Sequence, residues 1–442
     1  MKTSDDATTT IHTSFDDDST SNPPASNEPQ IYPLGGPRPS STPIILRAYG
    51  KSRDHMQSFH FVFDTVHTDN GGCGSRDESF CDFDMRKAVY DKNAPDGVRT
   101  TSSSAVPSRC GHSSVLIQVR AAGINPVDAK HVFADKLPES LTGCAQSVVN
   151  GRVPGFDFAG IVLDAPLGSG FTSGDEVFGI QGPMKGTLAE RILVSCAQVA
   201  HKPLGISFIE AAVLPLVGIT ALQVFEQHAL QAGQHLLVIG ASGGVGHIAT
   251  QLARGLGARV TAICSACNAE LVRSLGADSV VPYDGGPVAW LPMLERIVRT
   301  HGPFHMVFDT VSSHEKRDKE AAYESTIRQA ASVPLLAPGL KHQYVVIGAS
   351  TGSWAKAAIK RVTGLNCFEA GRELFWIDPF RCTAQLAALR QAIDEGKLRP
   401  QVSATMSFTD GGVQGAFRHL RSRRVVGKVA VDLSRLEDED PG

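Results

Sequence analysis

Apolar residues follow two rhythms along this chain, and the change of rhythm divides it. Residues 236–239 (LLVI) are an unbroken apolar run of the kind that forms a strand buried on both faces. The run breaks into Gly240, Gly243, Gly244 and Gly246, and a helix-patterned segment over 248–256 follows. A second apolar run, RVTAIC from Arg259, closes a βαβ unit. The same pattern continues in VVPY (280–283), MVFDTV (306–311) and YVVIGAS (344–350), which are expected to be further parallel strands. Upstream the rhythm is shorter. MRKAVY from Met85, VLIQVRAAGINPVDAK from Val115, VPGFDFAGIV from Val153, FTSGDEVFGI from Phe171 and GTLAERILVSCAQVAHKP from Gly186 predict short strands separated by turns, with Gly174 and Asp175 at one of them. That pattern suggests a barrel-type β domain. Helical periodicity takes over from Ile206. Beyond Trp376 come a helix over 384–393, a helix over 413–422 and a strand over 427–433, so the β-rich domain is expected to be discontinuous, its last piece returning after the βα units.

The glycine turn carries the first chemistry. A tight strand-to-helix turn and the close approach of a diphosphate to helix N-terminal amides both require residues without side chains. Gly240, Gly243 and Gly246, lying between two apolar runs with a helix inside, therefore point to dinucleotide binding. The end of the second strand, at Cys264 and Ser265, offers no acid to hold ribose hydroxyls, and the first carboxylate afterwards is Glu270. Ser265 and Asn268 can donate hydrogen bonds to a 2′-phosphate, with Arg273 nearby, so NADPH is favoured over NADH. The same two residues can equally cap the next helix.

Composition narrows the class. At 442 residues the chain is too long for one ordinary core. Lysine plus arginine number 42 against 45 acids, a balance that argues against nucleic acid or an anionic membrane as partner. Of nine cysteines, Cys264 and Cys267 alone form a CxxC pair, and without a second pair or nearby histidines zinc is not expected. The odd count without framework spacing reads as reduced intracellular thiols. The first residues, MKTSDDATTTIHTSFDDD, resemble neither a signal peptide nor a transit peptide, and the longest apolar stretch, 211–225, contains Pro215 and is too short to span a bilayer. A cytoplasmic location is expected. Residues 1–42 are rich in Ser, Thr, Asp, Asn and Pro and read as disordered, while 58–66 alternates Phe59, Phe61 and Phe63 as one strand would. The charged run from His314 reads as a solvated helix face.

Taken together, AAGINPVD (121–128), VPGFDFAG (153–160), GDEVFG (174–179), LPLVGITAL (214–222), GASGGVG (240–246), LGAD (275–278) and GKVAV (427–431) resemble the medium-chain dehydrogenase/reductase superfamily, and within it the zinc-free quinone oxidoreductase-like and alkenal/enone reductase branch. The resemblance covers the chain from Met85 to Leu433. It implies an α/β fold: a Rossmann-type doubly wound parallel sheet inserted in a discontinuous GroES-like β-barrel domain; the extension over 1–83 lies outside the resemblance and is expected from its composition to be largely disordered. The barrel domain would occupy 84–211 and 377–434, the nucleotide domain 212–376, and an acidic tail 435–442.

The departures from the zinc enzymes of that superfamily are informative. Asn125 stands where they carry a cysteine ligand, and Gly155-Phe156-Asp157 where they carry Gly-His-Glu. Phe156 cannot coordinate a metal, so no metal site is expected. Hydride delivery to a quinone or an enone β-carbon needs no Lewis acid. By resemblance the cleft lies between the domains, with Asn125 and Thr220 beside the nicotinamide. The amides of Ser242, Gly243, Gly244 and Val245 would meet the diphosphate, Tyr283 the adenosine end, and Gly348 the nicotinamide side. Thr220 can instead bond within its own helix, and Tyr283 can be a plain strand aromatic. Lys130, in the Asn-Pro-Val-Asp-Ala-Lys motif of the alkenal/enone subgroup, would stabilise the enolate that forms as hydride arrives, or donate a proton. A surface lysine is the alternative, and His131 is expected to be structural. A homodimer is implied by the family. Enoyl-thioester reduction, or a non-enzymatic NADPH-binding role in assembly or nucleic-acid binding, are the other readings.

Overall fold

The computed structural model describes residues 85–103, 107, 113–132, 149–182, 185–312, 322–338, 343–348 and 372–434. The extension over 1–83, its candidate strand over 58–66, the charged run from His314 as far as residue 321 and the tail over 435–442 lie outside the described residues.

The first element among the described residues is a hairpin, β1 (Met85–Tyr90) and β2 (Val98–Ser103), paired antiparallel from Met85↔Ser103 to Tyr90↔Val98. Its turn carries Asp96 and Gly97 at φ 56° and 73°. The sequence reading missed β2, because VRTTSS is polar and shows no apolar alternation. The long strand β3 (Ser114–Ile124) leads into a short helix α1 (Pro126–Val132). Then follow β4 (Asp157–Asp164), β5 (Glu176–Ile180), β6 (Arg191–Ser195) and β7 (Val199–His201). VPGFDFAGIV becomes strand from Asp157 onward. The preceding residues are a loop, because Gly155 takes φ 103°.

Helix α2 (Phe208–Ala212) starts with a capping box. Ser207 Oγ accepts from the Glu210 amide at 3.2 Å, and Glu210 Oε2 accepts from the Ser207 amide at 2.9 Å. Pro215 opens helix α3 (Pro215–Gln227), where a missing N–H costs nothing. The nucleotide sheet is built from β8 (His235–Ile239), β9 (Arg259–Cys264), β10 (Ser279–Pro282), β11 (Met306–Asp309), β12 (Tyr344–Val346) and β13 (Arg372–Leu374). Helices α4 (Gly244–Gly255), α5 (Ala269–Ser274), α6 (Gly286–His301) and α7 (Tyr323–Arg328) connect the strands. The strand order is β10-β9-β8-β11-β12-β13, all parallel, the doubly wound order of a Rossmann sheet. Leu236 and Val238 pack on one face with Val224, Phe225 and Ala249. Leu237 and Ile239 pack on the other with Trp290, Leu294 and Tyr344. Burial on both faces is why this strand has no polar alternation.

The chain then returns through α8 (Thr383–Asp394), β14 (Val402–Ser407), α9 (Asp410–Arg421) and β15 (Lys428–Asp432). β15 pairs antiparallel with β3 from Val429↔Ile124 to Asp432↔Ala121, which places it inside the barrel sheet β14-β15-β3-β4-β5-β7. The discontinuous architecture is thus fixed by backbone pairing across some 300 residues of chain. A separate apolar cluster fills the seam between the two halves: Phe156, Phe178 and Ile180 from the barrel side, with Leu214, Val217, Ile219 and Ile248 from the nucleotide side. Among the described residues no helix is long and apolar enough to cross a membrane.

Candidate functional site at the domain seam

The glycine turn closes tightly on itself. Gly240 has φ 80°, and its amide and that of Ala241 both donate to the Ile263 carbonyl, at 2.9 and 3.0 Å. The Gly243 amide donates back to the Gly240 carbonyl at 2.9 Å. A Cβ on Gly240 would collide with the Val311 side chain, and one on Gly246 with the Gly240 carbonyl. Helix α4 starts at Gly244 with Gly243 as its N-cap, and no side chain caps it. Ser242, Gly243, Gly244 and Val245 are half-buried there, and Gly243 and Gly244 bring no side chains of their own to the first-turn amides and the positive helix end. This is a cradle that fits a diphosphate.

At the end of β9, Ser265 and Asn268 do not cap the following helix. Asn268 Nδ2 donates to Ser242 Oγ at 3.2 Å, tying that loop to the glycine turn, while Ser265 Oγ lies 3.2 Å from Cys267 Sγ. Tyr283 follows β10 rather than lying within it; its amide donates to the Cys264 carbonyl at 3.0 Å and its side chain is exposed. One carboxylate the sequence reading did not weigh lies here. Asp284 Oδ2 accepts from the Ala266 amide at 2.6 Å, so it is engaged by the loop backbone. Cys264 is buried, which pushes its thiol up to about 11, whereas Cys267 is exposed.

The Asn125 turn is more elaborate than its motif suggested. Asn125 Nδ2 donates to Asp157 Oδ2 at 2.9 Å. Asp157 Oδ1 accepts from the Leu216 amide at 2.7 Å, so a barrel carboxylate caps helix α3 across the seam. Lys428, at the first position of β15, reaches the same place: its Nζ donates to Asp157 Oδ2 at 3.1 Å, to the Ile124 carbonyl at 3.2 Å and to Asn125 Oδ1. All three side chains are buried. Asp128 staples the turn from below, Oδ2 accepting from the Asn125 amide at 2.8 Å and Oδ1 from the Gly155 amide at 3.1 Å. Its complete burial, reinforced by the Asp157 charge, raises its carboxyl to about 7.

Thr220 lies on α3 at the seam, and its hydroxyl donates to the Leu216 carbonyl at 2.6 Å, the within-helix bond that was the alternative for it. It keeps acceptor capacity only. Gly348 is half-buried two residues beyond β12, next to a stretch outside the described residues. Lys130 and His131 lie on α1, but their side chains are outside the described residues. The structure therefore brings together Asn125, the α3 segment with Thr220, and the glycine turn.

Sequence reasoning missed Lys428 and His247. The signal for Lys428 was a lysine inside the apolar run VVGKVAV, where a solvated charge has no place. His247 lies one turn into α4, with Nδ1 2.9 Å from the Gly243 carbonyl and Nε2 accepting from the Gln401 amide at 3.1 Å. Burial lowers it to about 4, so it is a neutral bridge between the glycine turn and the segment leading to β14. Alongside, the Gly427 amide donates to the Ser242 carbonyl at 2.8 Å, and Gln251 exchanges hydrogen bonds of 2.9 Å with the Arg399 backbone.

The candidate metal position does not offer a ligand set. Asn125 Oδ1 and Asp157 Oδ2 are both held by the Lys428 ammonium, and Phe156 supplies carbon alone. Among the described residues no group of three or more His, Cys, Asp or Glu side chains could hold a metal ion.

Two family models match the chain: an alcohol dehydrogenase GroES-like domain over residues 111–204, and a zinc-binding dehydrogenase model over 275–431. The chain is 29% identical over 364 residues to the mitochondrial NAD(P)H oxidoreductase RTN4IP1 of Homo sapiens, covering 78% of this chain and 87% of that protein. It is 30% identical over 361 residues to the chloroplastic NADPH-dependent alkenal/one oxidoreductase of Arabidopsis thaliana, covering 79% of each. The fold matches the quinone oxidoreductase structure from Coxiella burnetii with a TM-score of 0.59 at 24% identity, over 79% of this chain and 100% of that one.

Proposed function

The chain belongs to the medium-chain dehydrogenase/reductase superfamily and is an oxidoreductase, and on that premise we propose that it delivers hydride from NADPH to a quinone or to the β-carbon of an α,β-unsaturated carbonyl, without zinc. The observation that carries the reading is the Lys428 ammonium on Asn125 Oδ1 and Asp157 Oδ2, with the non-ligating Phe156 next to Asp157 in the chain. A fixed cation on the oxygens of the turn repels a second one, and the turn has no thiolate or imidazole to compete. An acceptor already polarised by conjugation suits such a site, because its reduction needs no metal-bound alkoxide.

When bound, NADPH supplies the hydride. The amides of Ser242, Gly243, Gly244 and Val245 would hold its diphosphate, Ser265 and Asn268 its 2′-phosphate, and Tyr283 its adenosine end. Thr220, with its acceptor lone pairs, and Gly348 would border the nicotinamide beside Asn125. Lys130 would meet the carbonyl oxygen of the acceptor, stabilising negative charge there and returning a proton. The named cofactor and substrates of the Arabidopsis relative support this assignment.

The test is oxidation of NADPH, with NADH alongside, in the presence of an ortho-quinone, a short alkenal, an open-chain enone or an enoyl thioester. We expect turnover of alkenal or enone with NADPH, unchanged by a metal chelator and falling about tenfold or more in Lys130→Ala. Quinone turnover indifferent to that substitution removes Lys130 from the mechanism. Tight NADPH binding without turnover of any acceptor overturns the reductase reading and favours a non-enzymatic role.

A further inference from the structure

We infer that Lys428 is a positioning residue for hydride transfer: its buried ammonium sets the Asn125 turn, through Asp157, against the glycine turn that seats the cofactor. This rests on the reading that the nicotinamide lies beside Asn125.

Valence carries the argument. A lysine ammonium has three hydrogens and no lone pair. Lys428 places three acceptors around Nζ: the Ile124 carbonyl, Asn125 Oδ1 and Asp157 Oδ2. All its donors are spent on protein, so it has none to offer a substrate oxygen and no free proton to transfer. The Asn125 amide is fixed in turn. Its oxygen takes the lysine and one of its N–H groups goes to Asp157, which leaves a single orientation for the side chain. Asp157 completes the set by capping α3 through the Leu216 amide, and Thr220 lies one turn further along that helix.

The backbone of the same residue pair reaches the other half of the site. Gly427 donates to the Ser242 carbonyl at 2.8 Å, and the Lys428 amide donates to the Gln401 carbonyl at 2.9 Å. Gln401 in turn donates to His247 Nε2 on α4. The aliphatic stem of Lys428 runs past Gly244, with Cδ 3.2 Å from where a Cβ would stand on that glycine. Any side chain at 244 would push the lysine, and any shift of the lysine would move Asn125. One residue thus touches the diphosphate seat with its stem, and the nicotinamide side and α3 cap with its head. Hydride transfer depends on donor–acceptor distance to fractions of an ångström, so a link of this kind acts on the chemical step more than on affinity.

The experiment uses the full-length enzyme with an acceptor that the wild type turns over. Lys428→Met leaves the Asp157 charge buried and alone, so it is paired with Lys428→Met/Asp157→Asn, which removes both charges while keeping similar volume, and with Lys428→Arg. Readouts are NADPH affinity by fluorescence, kcat, KM for the acceptor, and the primary isotope effect with NADPH deuterated at the transferred position. We expect the double variant to bind NADPH within about threefold of wild type while kcat falls about tenfold or more, with an increased isotope effect. Lys428→Arg should restore part of kcat. A merely structural lysine would lower the folded fraction and leave the isotope effect of the remaining enzyme unchanged. A folded double variant with wild-type kcat and isotope effect overturns the inference and leaves the reductase reading standing. A wild type that reduces no acceptor overturns both.

Discussion

Gly246 offers the sharpest test of the glycine turn, because the same helix contains its own control. A Cβ built on Gly246 would lie 2.8 Å from both Ala241 Cα and the Gly240 carbonyl carbon, and closer still to the Gly240 oxygen. Carbon atoms pack at about 3.5–4.0 Å, so the turn must open by roughly 1 Å, and every atom in the way is backbone. Overpacking of this kind costs about 1–3 kcal/mol, partly offset by the helix preference of alanine, worth about 1 kcal/mol. The net expectation for Gly246→Ala is a loss of up to about 2 kcal/mol in unfolding free energy. The displaced segment is the one whose amides seat the diphosphate, and about 1.4 kcal/mol corresponds to tenfold in affinity. NADPH binding should therefore weaken about tenfold or more. Gly255, the last residue of the same helix, has nothing within 4 Å of its Cβ position. Gly255→Ala should therefore stabilise by about 0.5–1 kcal/mol and leave binding unchanged. The assays are urea unfolding and titration of the reduced nicotinamide fluorescence. If Gly246→Ala keeps wild-type stability and wild-type NADPH affinity, the turn does not seat the cofactor in the way described.

Three further outcomes are expected. His247 is neutral when folded, lowered to about 4 from 6.5 by burial, so the unfolded chain takes up its proton first. Its contribution is fully present above about pH 6.5 and lost as pH falls toward 4, amounting to about 3 kcal/mol; denaturation of wild type and His247→Gln at both ends of that window should show the variant losing less on acidification. Asp157→Ala strands the Lys428 charge and uncaps α3, so about 3–5 kcal/mol should be lost in urea unfolding; Asp157→Asn strands the same charge but keeps an oxygen for the Leu216 amide, so its loss should be smaller by about the cost of the cap, about 1 kcal/mol. Tyr344→Phe removes the buried hydrogen bond of 2.8 Å to Asp309, and a loss of about 1–3 kcal/mol in the same assay is expected.

The parts of the fold that were legible in the sequence are those where burial imposes a pattern on one stretch. Residues 236–239 are apolar throughout because both sheet faces are covered, and the glycines that follow are required by contacts with backbone. β2 was not legible, since a polar edge of a hairpin shows no alternation, and α6 escaped notice because Pro292 interrupts its pattern. In the site, the family resemblance drew attention to Asn125 and Asp157 and the glycine spacing to the turn after β8, each within a local segment. Neither could show that they meet at Lys428, some 300 residues along the chain from Asn125, since nothing local records which strand β15 pairs with. Thr220 shows a different limit: the sequence offered two partners for its hydroxyl, the nicotinamide side or its own helix turn, and the structure shows the bond to Leu216.

The most direct test of the central claim follows a deuterium atom. Metal-stripped protein is given NADPH deuterated at the transferred position and an open-chain enone, and the product is examined by NMR. Deuterium at the β-carbon of the saturated ketone, formed at the rate of untreated enzyme, is the predicted result. Failure to consume NADPH, or activity that disappears with the metal and returns with zinc, would contradict it.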